Sequence, residues 1–528
     1  MLSSFKKSAY ALLSSVFVLS ACSGLRPAPN YLPRQNPLLR AANASTAASS
    51  PGTDLKNPAR IWQDEVVYFI FTDRFVNGNR SNDYNVQPNE PWAYHGGDLD
   101  GVIQKLDYIK GLGATAIWLT PVVDNRDDAF VADFGNGRKQ EIWGYHGYWF
   151  KDFYKVDEHL GDMRKLQELT RLAHQKGIKV LLDIVVNHTD YDHPFAQQKA
   201  DKNSKYHGWF NHYGVIKNWD DQWWVENGEL AELPDLNQNN PETASYLIDS
   251  MKFWAKESGA DGFRIDTVKH VPRSFWKTFN SEMRRAEGND FLLLGEIYTP
   301  SPEFQAPYLR EGMHSAFDFP LYYAIKESFG QSGSMRRLAD VFSKDHLYPD
   351  ANLLSPFIDN HDVPRFVSEV KDRPIDRLKL SLAFIMTIRG LPMMYYGTET
   401  ALAGGADPDN RRDMNFGQNP GVTTHVQIFT NLRKQHRALR RGKQLEMWQD
   451  DQGYGFTRLT EVANEEVIAF FNNSSQPQTR QVSMRAESPL KNGGQFVNVF
   501  DNNNQLTVQN GKVTVTIPPM DFVIYRAR

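Results

Sequence analysis

Eight short β-prone runs, over residues 66–71, 114–120, 178–186, 262–265, 291–297, 314–317, 353–358 and 393–396, alternate with helical patterns along this chain. Apolar strands separated by helices predict a parallel sheet covered on both faces. Such a sheet is either open and doubly wound or closed. Eight strands, with acids at several strand ends, predict an α/β fold built as a closed (β/α)8 barrel. The intervening helices are legible too. Asn240 is a good N-cap, Pro241 suits the first turn, and Ala244, Leu247, Ile248, Met251, Trp254 and Ala255 fall on one face. A second helix over 162–175 is closed by Gly177.

The barrel accounts for part of the 528 residues only. Residues 60–188 and 238–441 are assigned to it. Residues 189–237 break the alternation with an irregular, Trp-rich stretch carrying Trp209, Trp219, Trp223 and Trp224, read as a small inserted domain after strand three. After 442 the texture turns to short alternating strands, including 466–471 and a pair at 506–508 and 513–517 around Asn510-Gly511, which predicts a C-terminal all-β sandwich. The net charge of −4 and the absence of a Lys/Arg block argue against nucleic acid as a partner. Nothing in the sequence calls for a nucleotide or a redox cofactor.

The N-terminus reads as an export signal. Lys6 and Lys7 precede an apolar stretch over 9–19, and Leu19-Ser20-Ala21-Cys22 matches a bacterial lipoprotein box. Residues 1–21 are read as the signal peptide, Cys22 as the lipidated first residue of the mature chain, and 22–59 as a tether rich in Ala, Pro, Ser and Asn. An ordinary secretory signal with an incidental cysteine is the alternative. The expected location is outside the cytoplasm, anchored to a bacterial membrane through lipid. In a Gram-negative cell, Ser23 after the cysteine favours the outer membrane.

Four strings carry the chemistry: Asp-Ile-Val-Val-Asn-His (183–188), Gly-Phe-Arg-Ile-Asp (262–266), Leu-Leu-Gly-Glu (293–296) and Phe-Ile-Asp-Asn-His-Asp (357–362). Arg264 and Asp266 share a strand face, so the guanidinium is expected to keep Asp266 ionised. Glu296 follows an apolar run, a setting that raises a carboxyl pKa. Together these strings resemble the α-amylase family, glycoside hydrolase family 13. The resemblance spans about 60–528 and implies a TIM barrel acting on α-glucans with retention, Asp266 as nucleophile, Glu296 as acid/base and Asp362 as the third carboxylate that clamps the distorted sugar. By the same resemblance His188 and His361 contact that sugar, Tyr148 of Gly-Tyr-His-Gly-Tyr-Trp (144–149) stacks on it, and Asp407 and Arg411 bind donor-side glucose units.

The resemblance also implies Ca²⁺ at one or two sites. Asn187, Asp235 and the carbonyl of His270 match a site joining the insert to the barrel. Asn77, Asn79, Asn82, Asp83, Gly96 and Asp98 match a second one, in which Asn77 stands where the family usually has Asp and Asp83 where it has Asn. An Asn/Gly-rich loop that satisfies its own backbone is the alternative reading of that cluster.

The activity implied is endo-hydrolysis of α-1,4 bonds in starch, glycogen or maltodextrin by a monomer. Lys269-His270 after the nucleophile resembles α-amylases and cyclodextrin glucanotransferases. The sequence as given shows no β-domain ahead of the barrel, no starch-binding domain behind it, and no evident transferase-type central aromatic. Leu-Pro-Asp-Leu-Asn (233–237) departs from fungal-type amylases, which end this string in Asp. A cyclomaltodextrinase-like, neopullulanase-like or glucanotransferase activity is therefore the second reading.

Overall fold

The computed structural model describes residues 60–133 and 139–528; Cys22 and the segment 22–59 lie outside the described residues. Seven parallel strands form one sheet, in the order Ser315–Ala316, Leu292–Gly295, Gly262–Ile265, Lys179–Ile184, Ala116–Leu119, Val67–Ile70 and Met393–Tyr395. Nearly every residue of these strands is buried, as expected of a sheet covered on both faces.

The seventh barrel position, expected as a strand over 353–358, is not a regular strand. Ala351–Leu353 is a 3₁₀ turn, and Ser355 alone bridges to Phe317. Pro356 has no N–H to give, so a ladder cannot run through it. The segment still closes the barrel. Ser355 N–H donates to the Ala316 carbonyl at 2.9 Å on one side, and Leu391 and Met393 N–H donate to the Leu354 and Pro356 carbonyls at 2.7 and 2.9 Å on the other.

The helices start and stop where their caps dictate. Helix Pro241–Ser258 begins as the Asn240 side chain accepts from the N–H groups of Glu242 and Thr243, and ends at Gly259, φ 68°. It buries Leu247, Ile248, Met251, Trp254 and Ala255 against the sheet. Helix Met163–Gln175 is capped by Asp162, and Gly177, φ 74°, turns the chain into strand three.

Between strand three and helix Pro241–Ser258 the insert holds only short pieces, among them Lys205–Trp209 and the helix Gln222–Asn227. It is tied down on two sides. Trp209 packs with Phe195, Tyr206 and the barrel-helix residue Tyr246, while Arg126 pairs with Asp190 at 3.1 Å.

The C-terminal domain is a six-stranded antiparallel sheet, in the order Lys443–Gln449, Gly453–Leu459, Val467–Asn472, Asp521–Ala527, Gln495–Asn498 and Gln505–Thr507. A two-stranded sheet, Gln478–Ser483 with Lys512–Ile517, shares its core of Ile468, Phe470, Val482, Val513, Val515 and Ile517. Here the expected pair is corrected. Asn510 and Gly511, φ 50° and 70°, do make a tight turn closed by Gln509 and Lys512. Beyond that bridge the two strands part, Gln505–Thr507 joining the large sheet and Lys512–Ile517 the small one. One buried arginine docks this domain onto the barrel: Arg458 donates to the Thr387 carbonyl at 3.3 Å and to Asn352 Oδ1 at 3.1 Å. Within the barrel, the buried Arg433 donates to the carbonyls of Met386, Ile388 and Gly390, where helix Pro374–Thr387 leaves its last carbonyls unpaired.

Candidate active site

Strands three and four run in parallel register with Asp183 opposite Arg264, so carboxylate and guanidinium emerge side by side. Arg264 Nη1 lies 3.0 Å from Asp183 Oδ1 and 2.7 Å from Asp266 Oδ1, one pleat further on. Its Nη2 reaches Glu296 Oε2, just beyond strand five, at 3.2 Å. One buried guanidinium thus bridges three carboxylates from three successive strands. Trp118, Tyr148 and Phe317 surround it, their ring centres 5.0 to 5.9 Å from Cζ.

The two carboxyl groups on that fork sit in different settings. After Asp266 the chain turns through Thr267, φ 48°, which aims the Thr267 N–H at Glu296 Oε2 at 3.0 Å. Burial, reinforced by the neighbouring charge of Asp266, raises the Glu296 carboxyl above its ordinary range against the pull of Arg264. Asp362, half-buried at the seventh position, is likewise raised by burial and by the charge of Glu296.

A second layer orients these groups. Tyr148 lies 2.8 Å from both Asp183 Oδ2 and His361 Nε2, and its ring stacks beside His361 at 5.4 Å. Asp183 accepts from Trp118 Nε1 as well, at 3.0 Å, and Arg264 already saturates its other oxygen. The Tyr148 hydroxyl therefore donates to Asp183 and accepts from His361 Nε2–H, which assigns the tautomer of that ring. Burial, helped by Arg411 and Arg264, holds the His361 imidazole well below its usual pKa, so it is neutral. Arg411 donates from Nε to the His361 carbonyl at 3.0 Å and stands 3.2 Å from Asp407 and 3.6 Å from Asp362.

His188, pushed down to about 4 by burial, meets the Tyr148 carbonyl at 3.1 Å, and Lys269 Nζ donates to the Tyr298 carbonyl at 3.0 Å. The structure therefore brings Asp266, Glu296, Asp362, Tyr148, His188, Arg264, His361, Asp407 and Arg411 to one rim, with Lys269 beside them. Trp149 packs against Phe130, His146 and Tyr191, as a core residue.

Asn187, Asp235 and His270 lie where the insert meets the barrel. The Leu236 N–H donates to the Asn187 carbonyl at 2.9 Å, and His188 bridges to Asp235, so the segments bearing Asn187 and Asp235 run side by side, Asn187 opposite Leu236. Asn187 Oδ1 is buried with no partner among the described residues. The buried Asp235 carboxylate accepts from the Asn211 amide at 2.8 Å, and the His270 ring is occupied by the Val225 carbonyl at 3.1 Å.

The second cluster is more self-contained. Asp98 accepts from the N–H groups of Gly78, Asn79 and Gly101, the Asn77 amide donates to both Asp83 oxygens, and Asn79 Oδ1 takes Ser81. Gly96, φ 90°, packs so closely on Asn77 and Asp83 that a Cβ would stand 2.6 Å from the Asn77 amide nitrogen. Asn82 Oδ1 is the one buried oxygen left over among these side chains.

Sequence reasoning misses Asp183 as the counter-ion of Arg264, and Trp118 as its hydrogen-bonding and aromatic neighbour. A signal for Asp183 is present: two polar residues, Asp183 and Arg264, interrupt strands that are otherwise apolar near their ends. Asn410, which holds the His361 and Val363 carbonyls at 2.8 and 3.0 Å, is also missed as a positioning residue.

Chemically, the rim offers a carboxyl group held on a guanidinium, a buried carboxyl biased toward its protonated form, and a third acid facing the same cleft. That set is suited to double displacement at an acetal carbon.

The comparisons agree with this geometry. A family model described as alpha amylase, catalytic domain matches residues 69–466. A β/α-amylase of Paenibacillus polymyxa is 41% identical over 491 residues, covering 89% of this chain; the chain spans 38% of that relative's length. Among solved structures, an Anoxybacillus α-amylase superposes with a TM-score of 0.79 at 40% identity, covering 88% of this chain and 98% of that one. CldA, a three-domain cyclomaltodextrin glucanotransferase, superposes with a TM-score of 0.77 at 32% identity, covering 88% and 99%.

Proposed function

The chain belongs to the α-amylase family, and on that premise we propose that it hydrolyses internal α-1,4-glucosidic bonds of starch, glycogen or maltodextrin with retention of configuration. The observation that carries this reading is the Arg264 fork, which presents Asp266 and Glu296 to one cleft in different electrostatic settings. In the first step Glu296 gives its proton to the glycosidic oxygen while an Asp266 oxygen attacks C1. The C1–O bond breaks, the shortened glucan leaves as an alcohol, and a glucosyl ester remains on Asp266. In the second step the Glu296 carboxylate takes a proton from water, the water oxygen attacks C1, and the ester bond to Asp266 breaks.

The other rim residues act on the sugar. Asp362 and neutral His361 hold hydroxyls of the flattened ring, Tyr148 stacks on it, and His188 contacts the same unit. Asp407 and Arg411 bind the donor chain, and Lys269 the acceptor side. Arg264 Nη1 holds an Asp266 oxygen at 2.7 Å and so fixes the direction of the nucleophile.

A glucanotransferase, cyclomaltodextrinase-like or neopullulanase-like activity is the second reading. It is favoured by Asn237 at the end of 233–237 and by the likeness to CldA, since a sugar hydroxyl can replace water in the second step. A product time course separates the two. Endo-hydrolysis should give mixed maltooligosaccharides early from soluble starch and leave β-cyclodextrin and pullulan almost untouched. Rapid ring opening of the cyclodextrin, panose from pullulan, or cyclic products from starch would favour the second reading.

The donor chemistry of the Asn187 site fits a calcium ion: an orphaned buried amide oxygen and a buried carboxylate, with the His270 carbonyl as a further ligand, would supply oxygen donors to a hard cation. Asn187, Asp235 and the His270 carbonyl would hold it and pin the insert to the barrel next to the nucleophile strand. The cluster at Asn77, Asn79, Asn82, Asp83, Gly96 and Asp98 is a weaker candidate, because its carboxylates are already largely satisfied. A ligand at 100 times its Kd stabilises the native state by about 2.7 kcal/mol. Chelation should therefore lower the Tm of the protein, and Asn187→Ala should abolish most of that response. An unchanged Tm in chelator would remove calcium from the account. Export, lipid attachment at Cys22 and a monomeric state complete the proposal.

A further inference from the structure

We propose that the insert carries a second α-glucan-binding surface, outside the catalytic centre, built on Tyr213 and Trp223. The inference rests on the α-glucan reading above. Of the four tryptophans in the insert, Trp209 is buried, Trp219 turns its edge to His270, and Trp224 is half-buried with Lys217 over its ring. Trp223 is different: it is 46% exposed, and Tyr213, which it meets edge to face at 4.8 Å, is 48% exposed. Two large aromatic rings standing together in water forgo burial that a core position would give them, which marks a contact surface.

Both rings sit on a fixed base. The Glu229 N–H donates to the Gly214 carbonyl at 2.8 Å, and Asp221 caps helix Gln222–Asn227 by accepting from the Trp223 N–H at 3.0 Å. Behind Tyr213 lies a cavity of about 270 Å³ lined by His207, Phe210, Asn211, His212 and Asn237, with no Lys, Arg, Asp or Glu. His207 Nδ1 and His212 Nε2 are engaged by main-chain carbonyls, which leaves the opposite nitrogen of each ring without a partner among the described residues. A lining of amides and imidazoles, without a carboxylate, ammonium or guanidinium, beside two aromatic rings suits a sugar, whose C–H face lies on a ring while its hydroxyls reach side-chain donors and acceptors.

Continuity with the catalytic rim identifies the occupant as a further stretch of the glucan chain. The helix that bears Trp223 is fastened to the segment after the nucleophile, Gln222 Nε2 donating to the Lys269 carbonyl at 2.7 Å and His270 Nδ1 meeting the Val225 carbonyl at 3.1 Å. A chain extending past Lys269 is thus led toward Trp223 and Tyr213.

The test compares the parent with Tyr213→Ala/Trp223→Ala and with the conservative pair Tyr213→Phe/Trp223→Tyr. Binding is read by depletion on insoluble starch granules, and catalysis by kcat/KM on maltotriose, with Tm as a check of folding. The Ala pair should bind granules about tenfold more weakly with maltotriose kinetics unchanged, and the conservative pair should bind like the parent. Granule binding by the Ala pair equal to the parent's overturns the inference. So does a parent that cleaves soluble starch yet ignores granules, or a conservative pair that loses binding as fully as the Ala pair. A parent that binds granules through these rings but cleaves no starch would instead sink the proposed function and leave this surface standing.

Discussion

Asp266→Ala should lower starch cleavage by about 10⁴-fold or more, the scale on which removing a covalent nucleophile acts, and azide should rescue it in a diagnostic way. With α-maltosyl fluoride as substrate, fluoride leaves without needing a proton. Azide can then enter the space vacated beside Arg264 Nη1, attack C1 from the nucleophile's side, and give β-maltosyl azide. Glu296→Ala should behave in the opposite sense. Its ester on Asp266 still forms from the fluoride, azide then displaces Asp266, and the product is α-maltosyl azide. The two anomers, read by NMR, assign the two roles separately. The reverse pairing would exchange them, and rescue of neither would remove both residues from the chemistry.

The second large effect is expected at Arg264. Its guanidinium is the shared partner of Asp183, Asp266 and Glu296. Arg264→Met leaves these carboxylates buried without their cation, a change that costs about 3–5 kcal/mol. The cost should depend on pH in a defined direction. Burial already raises the Glu296 carboxyl, and also that of Asp183, above their ordinary values, and losing the cation raises both further. A carboxyl raised in the folded state contributes stability below its unfolded pKa and loses it as pH climbs through the folded one. The Tm deficit of Arg264→Met should therefore be small near pH 5 and widen as pH climbs through about 8, where Asp183 titrates in the parent. Arg264→Lys keeps a charge but loses the fork, so it should recover stability in part and activity hardly at all. A Met variant with the parent's Tm across this range would contradict the account of the rim.

Much of this rim is legible in the chain's residue order alone. Acids at strand ends announce themselves because an apolar run must stop where a polar group begins, and Asp266, Glu296 and Asp362 do so at three strand positions. The caps at Asn240 and Asp162 are equally plain, since each is a local contact between a side chain and the next turn. What escapes is non-local. The partnership of Asp183 with Arg264 depends on the register of two strands buried on both faces, and such strands carry no alternation that fixes register. Alternation at 513–517 marks a strand but does not say which of two sheets takes it. The missing ladder at the seventh position turns on Pro356, whose effect depends on which neighbours surround it. The exposed rings of Tyr213 and Trp223 lie in an insert without periodicity, so composition offers no way to tell them from the buried Trp209.

The central claim is double displacement on Asp266, and the anomeric form of the first product tests it most directly. Proton NMR of maltooligosaccharides in the first minutes of starch cleavage, before mutarotation, should show the α-anomer at the newly formed reducing end. An initial β-anomer would mean a single displacement by water, and would contradict a covalent role for Asp266.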